Sequence, residues 1–438
     1  MENDSAQPPQ TKRDGFWGSL GPAIITASVV LGPGSILSAS KIGQQYGYSM
    51  SWVLCLAVGL MLGMTALSAR LGVLFDHTLC EEMAQRAGRW LALLAGTTIF
   101  LIVACFQFSN NLGVLAALEP FSQGEASWIP VAVIVGLNVF AVGALAGSDH
   151  LYKPIERLMK VLIGLMILGF AANLVMAKPD IGAVAAGLKP VLPTDPGAAK
   201  SINLTPLIAL FATTFSVAGA FYQSYLVREK GWTRADLKPG LIDSTVGICT
   251  LGFITLMVMT TAAAVLSGRG DIELKSAADV AKALEPLFGP WAMGLFCLGI
   301  FAGAFSSFLV NAMIGGCMMA DSLGWGGSID RKGPKALTVL ALLCGMGVAL
   351  YVQLTGQKPV NLIIFAQAMT VLGGPILAGL LLWLCFQPDV PERGGVPVWL
   401  KIVAVVSLLV ALVLAYQKAV SIYSDLQKKI APATETAK

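Results

Sequence analysis

Charge is what this sequence has least of. Asp, Glu, Lys and Arg make up 12% of its 438 residues, against 56% hydrophobic ones, whereas about a quarter of a water-soluble domain is charged. With a mean hydropathy of +0.74, the chain has lipid as its solvent, so length is no guide to domain count. Histidine is nearly missing: His77 and His150 both fall in expected loops. The cysteines form no CxxC pair. Cys55, Cys105, Cys249, Cys297, Cys317, Cys344 and Cys385 lie inside apolar runs and only Cys80 in an expected loop, which argues against a disulfide framework or a zinc site. No HExxH pair, no histidine within a span and no carboxylate dyad at depth points to an enzyme, and no cofactor is called for. The net charge of +4 is spread along the loops without a basic block, so nucleic acid is not expected as a partner. The polar start, Met1 to Asp14, lacks the apolar core and cleavage site of a signal peptide.

Long apolar runs are what the chain does have. About 20 residues of helix cross a hydrocarbon core about 30 Å thick, and eleven segments reach that length: 18–45, 49–75, 91–117, 128–146, 154–177, 204–227, 239–266, 289–321, 335–354, 359–386 and 396–417. The fold class expected is all-α integral membrane. Lys12, Arg13, Arg86, Arg89, Arg228, Lys230, Arg331 and Arg393 share one side, while the short opposite loops near Tyr46–Ser49 and Glu119–Ser127 carry no basic residue. The positive-inside rule then puts the N-terminus in the cytoplasm of a multi-pass inner-membrane protein.

The first span carries an interruption. Gly32-Pro33-Gly34-Ser35 sits in its middle; proline removes a donor and clashes with the preceding turn, and glycine adds backbone freedom, so the helix should unwind there. Unwound backbone at membrane depth survives only where it is buried or lines a cavity. The sixth span holds a small-residue, hydroxyl-rich patch from Phe211 to Gln223, without proline. The two interruptions open segments one to five and six to ten alike, and an odd number of helices per repeat inverts the second. Broken helices at matching places of two inverted halves point to the substrate site of a secondary transporter. The expected organisation is a cytoplasmic tail over 1–17, a first repeat over 18–177, a second over 204–386, an eleventh helix over 396–417 and a disordered tail over 418–438.

The residues also resemble a known family. The Gly21-Pro-Ala-Ile-Ile opening, Gly47-Tyr48 followed by Trp52-Val53-Leu54, the Gly303-Ala-Phe-Ser-Ser307 stretch followed by Gly315-Gly316, Ser224-Tyr225-Leu226-Val227, and Gln367 eight residues before Pro375 are similar to the Nramp family of divalent metal transporters over about 18–386. The resemblance implies a LeuT-like fold of 11 transmembrane helices, in two inverted five-helix repeats with helices 1 and 6 broken. It also implies a metal site made of a DPGN motif and an MPH motif, from which this chain departs. The aspartate and asparagine positions are Gly32 and Ser35; the methionine, proline and histidine positions are Ser216, Val217 and Ala218. Family acidic positions on helix three read Gln107 and Asn110, and a helix-six histidine reads Gln223. A dehydrated transition metal wants anionic or soft ligands, and amides cannot relay protons.

Gly32, Ser35, Thr213, Ser216 and Gln367 are therefore the candidate substrate-binding residues, with Gln107, Asn110 and Gln223 as former proton-relay positions. Polar residues within spans also serve as helix–helix glue, and the odds turn towards substrate only where they align with ligand positions. The reading is an alternating-access transporter of a non-standard cargo, a small polar solute or a hydrated cation. Two alternatives stay open: divalent metal transport (magnesium or manganese) retained through carbonyls, Gln367 and water, and a transport-inactive membrane sensor or partner. Tyr152, Tyr222 and Tyr225 read as interfacial anchors, and Glu156 and Lys160 as an i, i+4 pair.

Overall fold

The computed structural model describes residues 21–121, 128–147, 150–191, 205–269, 272–275, 277–356 and 360–430. Among them there are helices, turns and loops, and no strand. In chain order the helices are α1 (Pro22–Val30), α2 (Pro33–Tyr46), α3 (Ser51–Leu74), α4 (Leu79–Ala87), α5 (Arg89–Leu118), α6 (Ile129–Gly147), α7 (Tyr152–Ala177), α8 (Ile181–Ala186), α9 (Thr205–Thr214), α10 (Val217–Glu229), α11 (Leu237–Leu266), α12 (Ala277–Phe288), α13 (Pro290–Ser322), α14 (Lys332–Thr355), α15 (Val360–Cys385) and α16 (Val398–Ile430). In lipid, backbone polar groups must be satisfied within the segment, and only a helix or a closed barrel does this.

Among the described residues nine helices are long and apolar enough to cross a membrane, and the bent pair α1 and α2 makes up to ten. The expected tenth of eleven spans corresponds to α15, a helix of 26 residues. Around the centre, α1 packs on α11, α13 and α10, α2 on α11 and α9, and α5 on α13 and α15. Two breaks face each other inside this bundle. At the first, Leu31 (φ −80°, ψ 60°) and Gly32 (φ −95°, ψ 176°) leave the helical region, and the axes of α1 and α2 turn by 62°. Pro33 begins α2, a position where its missing N–H costs nothing. At the second, Ser216 (φ −87°, ψ 95°) starts α10 and accepts a capping bond from Gly219 N at 3.2 Å. Without a proline this break is milder, and Leu207–Glu229 still reads as one 23-residue span.

Three expectations give way. The chain after Tyr416 is helical to Ile430 rather than disordered from 418, because neither glycine nor proline interrupts it before Pro432. Tyr222 and Tyr225 are not interfacial anchors: both are buried and stacked on each other, their hydroxyls reaching Cys317 Sγ (3.7 Å) and Asp321 Oδ2 (2.7 Å). The cause is α10 itself, buried from Val217 to Val227, so its aromatics meet other helices instead of the membrane surface. Cys80 lies in α4, fully buried, rather than in a loop. The Glu156–Lys160 pair forms at 2.7 Å.

Candidate functional site

Breaking a helix strands carbonyls at the end of one half and N–H groups at the start of the other. At the first break both ends are answered locally. Ser307 Oγ, on α13, donates to Ser28 O (3.0 Å) and Val29 O (2.8 Å), and Ser306 Oγ lies 3.4 Å from Ser28 O. Val30 O accepts from Gly32 N, and Gly32 O from Ser35 N and Ile36 N. The unwound turn sits in a notch cut by two glycines. A methyl group at Gly303 would come within 2.6 Å of Leu31 O, and one at Gly113, on α5, would collide with the Pro33 ring.

Between the breaks lies a small cavity of about 30 Å³. Gly32, Ser35, Thr213 and Ser216 line it, together with Asn110, Ser307 and Asn311. A space of 10–15 Å³ admits one water, so this one has room for about two waters or an ion of similar size. Among the described residues every side chain around it is apolar, a hydroxyl or an amide, and none is a carboxylate, imidazole, thiol or thioether. Among the described residues no three His, Cys, Asp or Glu side chains gather anywhere to hold a metal. What the arrangement offers is neutral, hard oxygen: amide carbonyls, hydroxyls and backbone carbonyls.

The candidates separate into two shells. Gly32, Ser35, Thr213, Ser216 and Asn110 reach the cavity. Gln107 and Gln223 stand behind it, both fully buried. Gln107 Nε2 donates to Phe308 O at 3.0 Å, and Asn110 Nδ2 donates to Gln107 Oε1 at 3.1 Å. Gln223 Oε1 accepts from Thr26 Oγ1 at 2.7 Å, tying α10 to α1. The side chain of Gln367 lies outside the described residues. Sequence reasoning took Ser306 and Ser307 for part of a small-residue stretch and overlooked their capping of α1. The available signal was spacing: Ser307 follows Gly303 by one helical turn, on the face where the backbone of the break must approach.

A second, larger cavity of about 780 Å³ opens beside α10 and the α13–α14 turn, among Tyr225, Arg228, Glu81, His77, Asp321 and Arg331. It lies on the face carrying the Arg86–Asp389 and Arg393–Asp76 ion pairs, whose arginines belong to the basic set assigned to one side from sequence. On the opposite face Lys282 pairs with Glu119 (2.6 Å), and Gln44 Nε2 donates to Arg269 O and Ile272 O.

A family model described as natural resistance-associated macrophage protein-like matches residues 23–421. The divalent metal cation transporter MntH of Deinococcus radiodurans is 26% identical over 378 residues, spanning 85% of this chain and 82% of the relative. MntH of Pectobacterium carotovorum is 24% identical, over 81% and 82%. Among solved structures, a mutant of the Eremococcus coleocola manganese transporter superposes with a TM-score of 0.81 at 18% identity, covering 98% of this chain and 91% of that one. A Na+-coupled sialic acid symporter superposes with a TM-score of 0.61 at 16% identity, covering 91% and 88%. At such identities the structures establish a shared LeuT-like fold.

Proposed function

The chain belongs to the Nramp family, and from that premise we propose that it is an alternating-access transporter of the inner membrane that carries a hard cation with part of its water, rather than a dehydrated transition metal. The observation that carries this reading is the cavity lining, where among the described residues the side chains offer a cation only oxygen and none bears a formal charge. Relatives bear the name of divalent metal cation transporters, which favours a divalent cation as cargo. Stripping such an ion of water needs anionic or soft ligands to offset the lost hydration. Magnesium dehydrates reluctantly and binds with several waters retained, so neutral oxygens suit it better than they suit manganese. The N-terminus faces the cytoplasm in this reading, and the 780 Å³ cavity is then the cytoplasmic vestibule.

Proteoliposomes decide the matter. Saturable magnesium uptake, with manganese and cadmium transported no better than magnesium, is the expected result. Tight manganese binding abolished by Ser216→Ala would show that a transition-metal site persists. A second reading, transport of a small neutral polar solute, is favoured by the absence of formal charge among the described residues of the cavity. It predicts no divalent flux of any kind, and the cavity size weighs against it.

A further inference from the structure

The hydrogen-bond pattern around the cavity fixes which atoms point into it. A backbone carbonyl only accepts, so the Gln107 group 3.0 Å from Phe308 O has to be the NH2. Gln107 Oε1 is then turned towards Asn110, and an amide oxygen too can only accept. Asn110 therefore presents its own NH2 to Gln107 (3.1 Å) and turns Oδ1 away, into the cavity. A methyl group at Gly32 would lie 3.4 Å from that Oδ1, which places the oxygen beside the helix break. Among the described residues no donor reaches it. Two hydroxyls repeat the logic. Ser307 spends its hydrogen on Ser28 O and Val29 O, and Thr213 on Ala209 O (2.9 Å) and Leu210 O (3.1 Å). Each is left with lone pairs and no donor for the guest.

We propose that Asn110 Oδ1 is a direct ligand of the transported cation, locked in that orientation by Gln107, with Ser307 Oγ and Thr213 Oγ1 completing a set of oxygens that can accept but not donate. Gln107 acts as a positioning residue. It touches no cargo, yet through Phe308 O it removes the freedom of Asn110 to rotate and offer N–H to the site. The cavity is thereby electronegative without a carboxylate. These three oxygens attract a cation and give no hydrogen bond to a neutral acceptor, while Ser35, Ser216 and Asn311 supply the hydrogens that the cavity retains. The inference rests on the cation reading above and adds to it the identity of a ligand on α5, a helix that is not one of the two broken ones.

The test uses the full-length protein in nanodiscs, titrated with magnesium alone by calorimetry, with thermal unfolding of each variant as the control for folding. Asn110→Leu, close in shape, is expected to weaken magnesium binding at least tenfold. Loss of an orienting outer partner weakens metal affinity by roughly 10- to 100-fold, so Gln107→Met should weaken binding about tenfold in the wild-type background. In the Asn110→Leu background it should have no further effect. Asn110→Asp keeps the shape and adds charge while giving up the bond to Gln107 Oε1, and the charge is expected to prevail and tighten binding. If wild type binds magnesium while Asn110→Leu stays within twofold of it, the ligand assignment falls and the cation reading stands. Should Gln107→Met weaken binding equally in both backgrounds, the positioning role falls. Should Asn110→Leu fail to fold, Asn110→Asp decides alone, and unchanged or weaker binding there overturns the assignment. Absence of magnesium binding to wild type overturns both this inference and the cation reading.

Discussion

Gly113 and Gly303 are bare because the broken turn lies against them, Pro33 on one side and Leu31 O on the other. Filling either notch pushes the break out of place rather than merely tightening a core. Gly113→Ala is expected to abolish flux in proteoliposomes while lowering stability by about 1–3 kcal/mol, the ordinary cost of overpacking. Ser307→Ala tests the opposite defect. It leaves Val29 O without its hydroxyl in a buried site, at a cost of about 1–3 kcal/mol for an unsatisfied carbonyl. Ser307→Thr, which keeps the hydroxyl, should recover most of the melting temperature.

Helix elements hold the site from a distance, and on the basic face they are joined by charge. Arg86 on α4 grips Asp389, in the turn between α15 and α16, through two bonds of 2.6 and 2.8 Å. Arg393 reaches both Asp389 and Asp76. The hydrogen bond from Arg86 is the main cause that holds the Asp389 carboxyl down at about 2, below its usual value of about 3.9. A carboxyl depressed on folding stabilises the fold above the unfolded value and loses that contribution as pH falls towards 2. The clasp should therefore be indifferent to pH from 8 to 5 and fail only in strong acid. Asp389→Asn is expected to cost about 1 kcal/mol at neutral pH, and the difference from wild type should shrink through about pH 4 to 2 and vanish only below that. Melting curves across that range check both statements. The two breaks differ at this scale as well: the proline-led one turns by 62°, while the Ser216 break leaves a nearly continuous span.

Over the whole molecule, the proposed cycle takes a charged cargo past a cavity that has no titratable side chain among the described residues. The positions that the family resemblance assigns to a proton relay are the amides Gln107, Asn110 and Gln223, which the structure ties into hydrogen bonds with Phe308 O and Thr26. None can titrate. Cation flux in the proposed cycle is then uncoupled from protons. Uptake into vesicles should be unchanged between external pH 6 and 8, should produce no proton movement detectable by an internal pH dye, and should increase with an inside-negative potential, each charge gaining about 2.3 kcal/mol per 100 mV. A flux that rises steeply as the pH falls would contradict this picture.

The sequence by itself determined the solvent, the helical class, the family and the place of the first break, because apolar length, family-like motifs and Gly-Pro-Gly are local facts. It misread Tyr222, Tyr225 and the stretch after Tyr416, where burial and helix length depend on neighbours that a linear pattern does not name. Only the tertiary structure decided that Ser307 caps α1, that Gly113 and Gly303 seat the break, and that Gln107 stands behind Asn110 instead of beside the cargo. The reason is physical: an amide or hydroxyl is donor and acceptor at once, and which of the two faces the site is settled by the partner across the helix interface, a carbonyl some two hundred residues away in the chain.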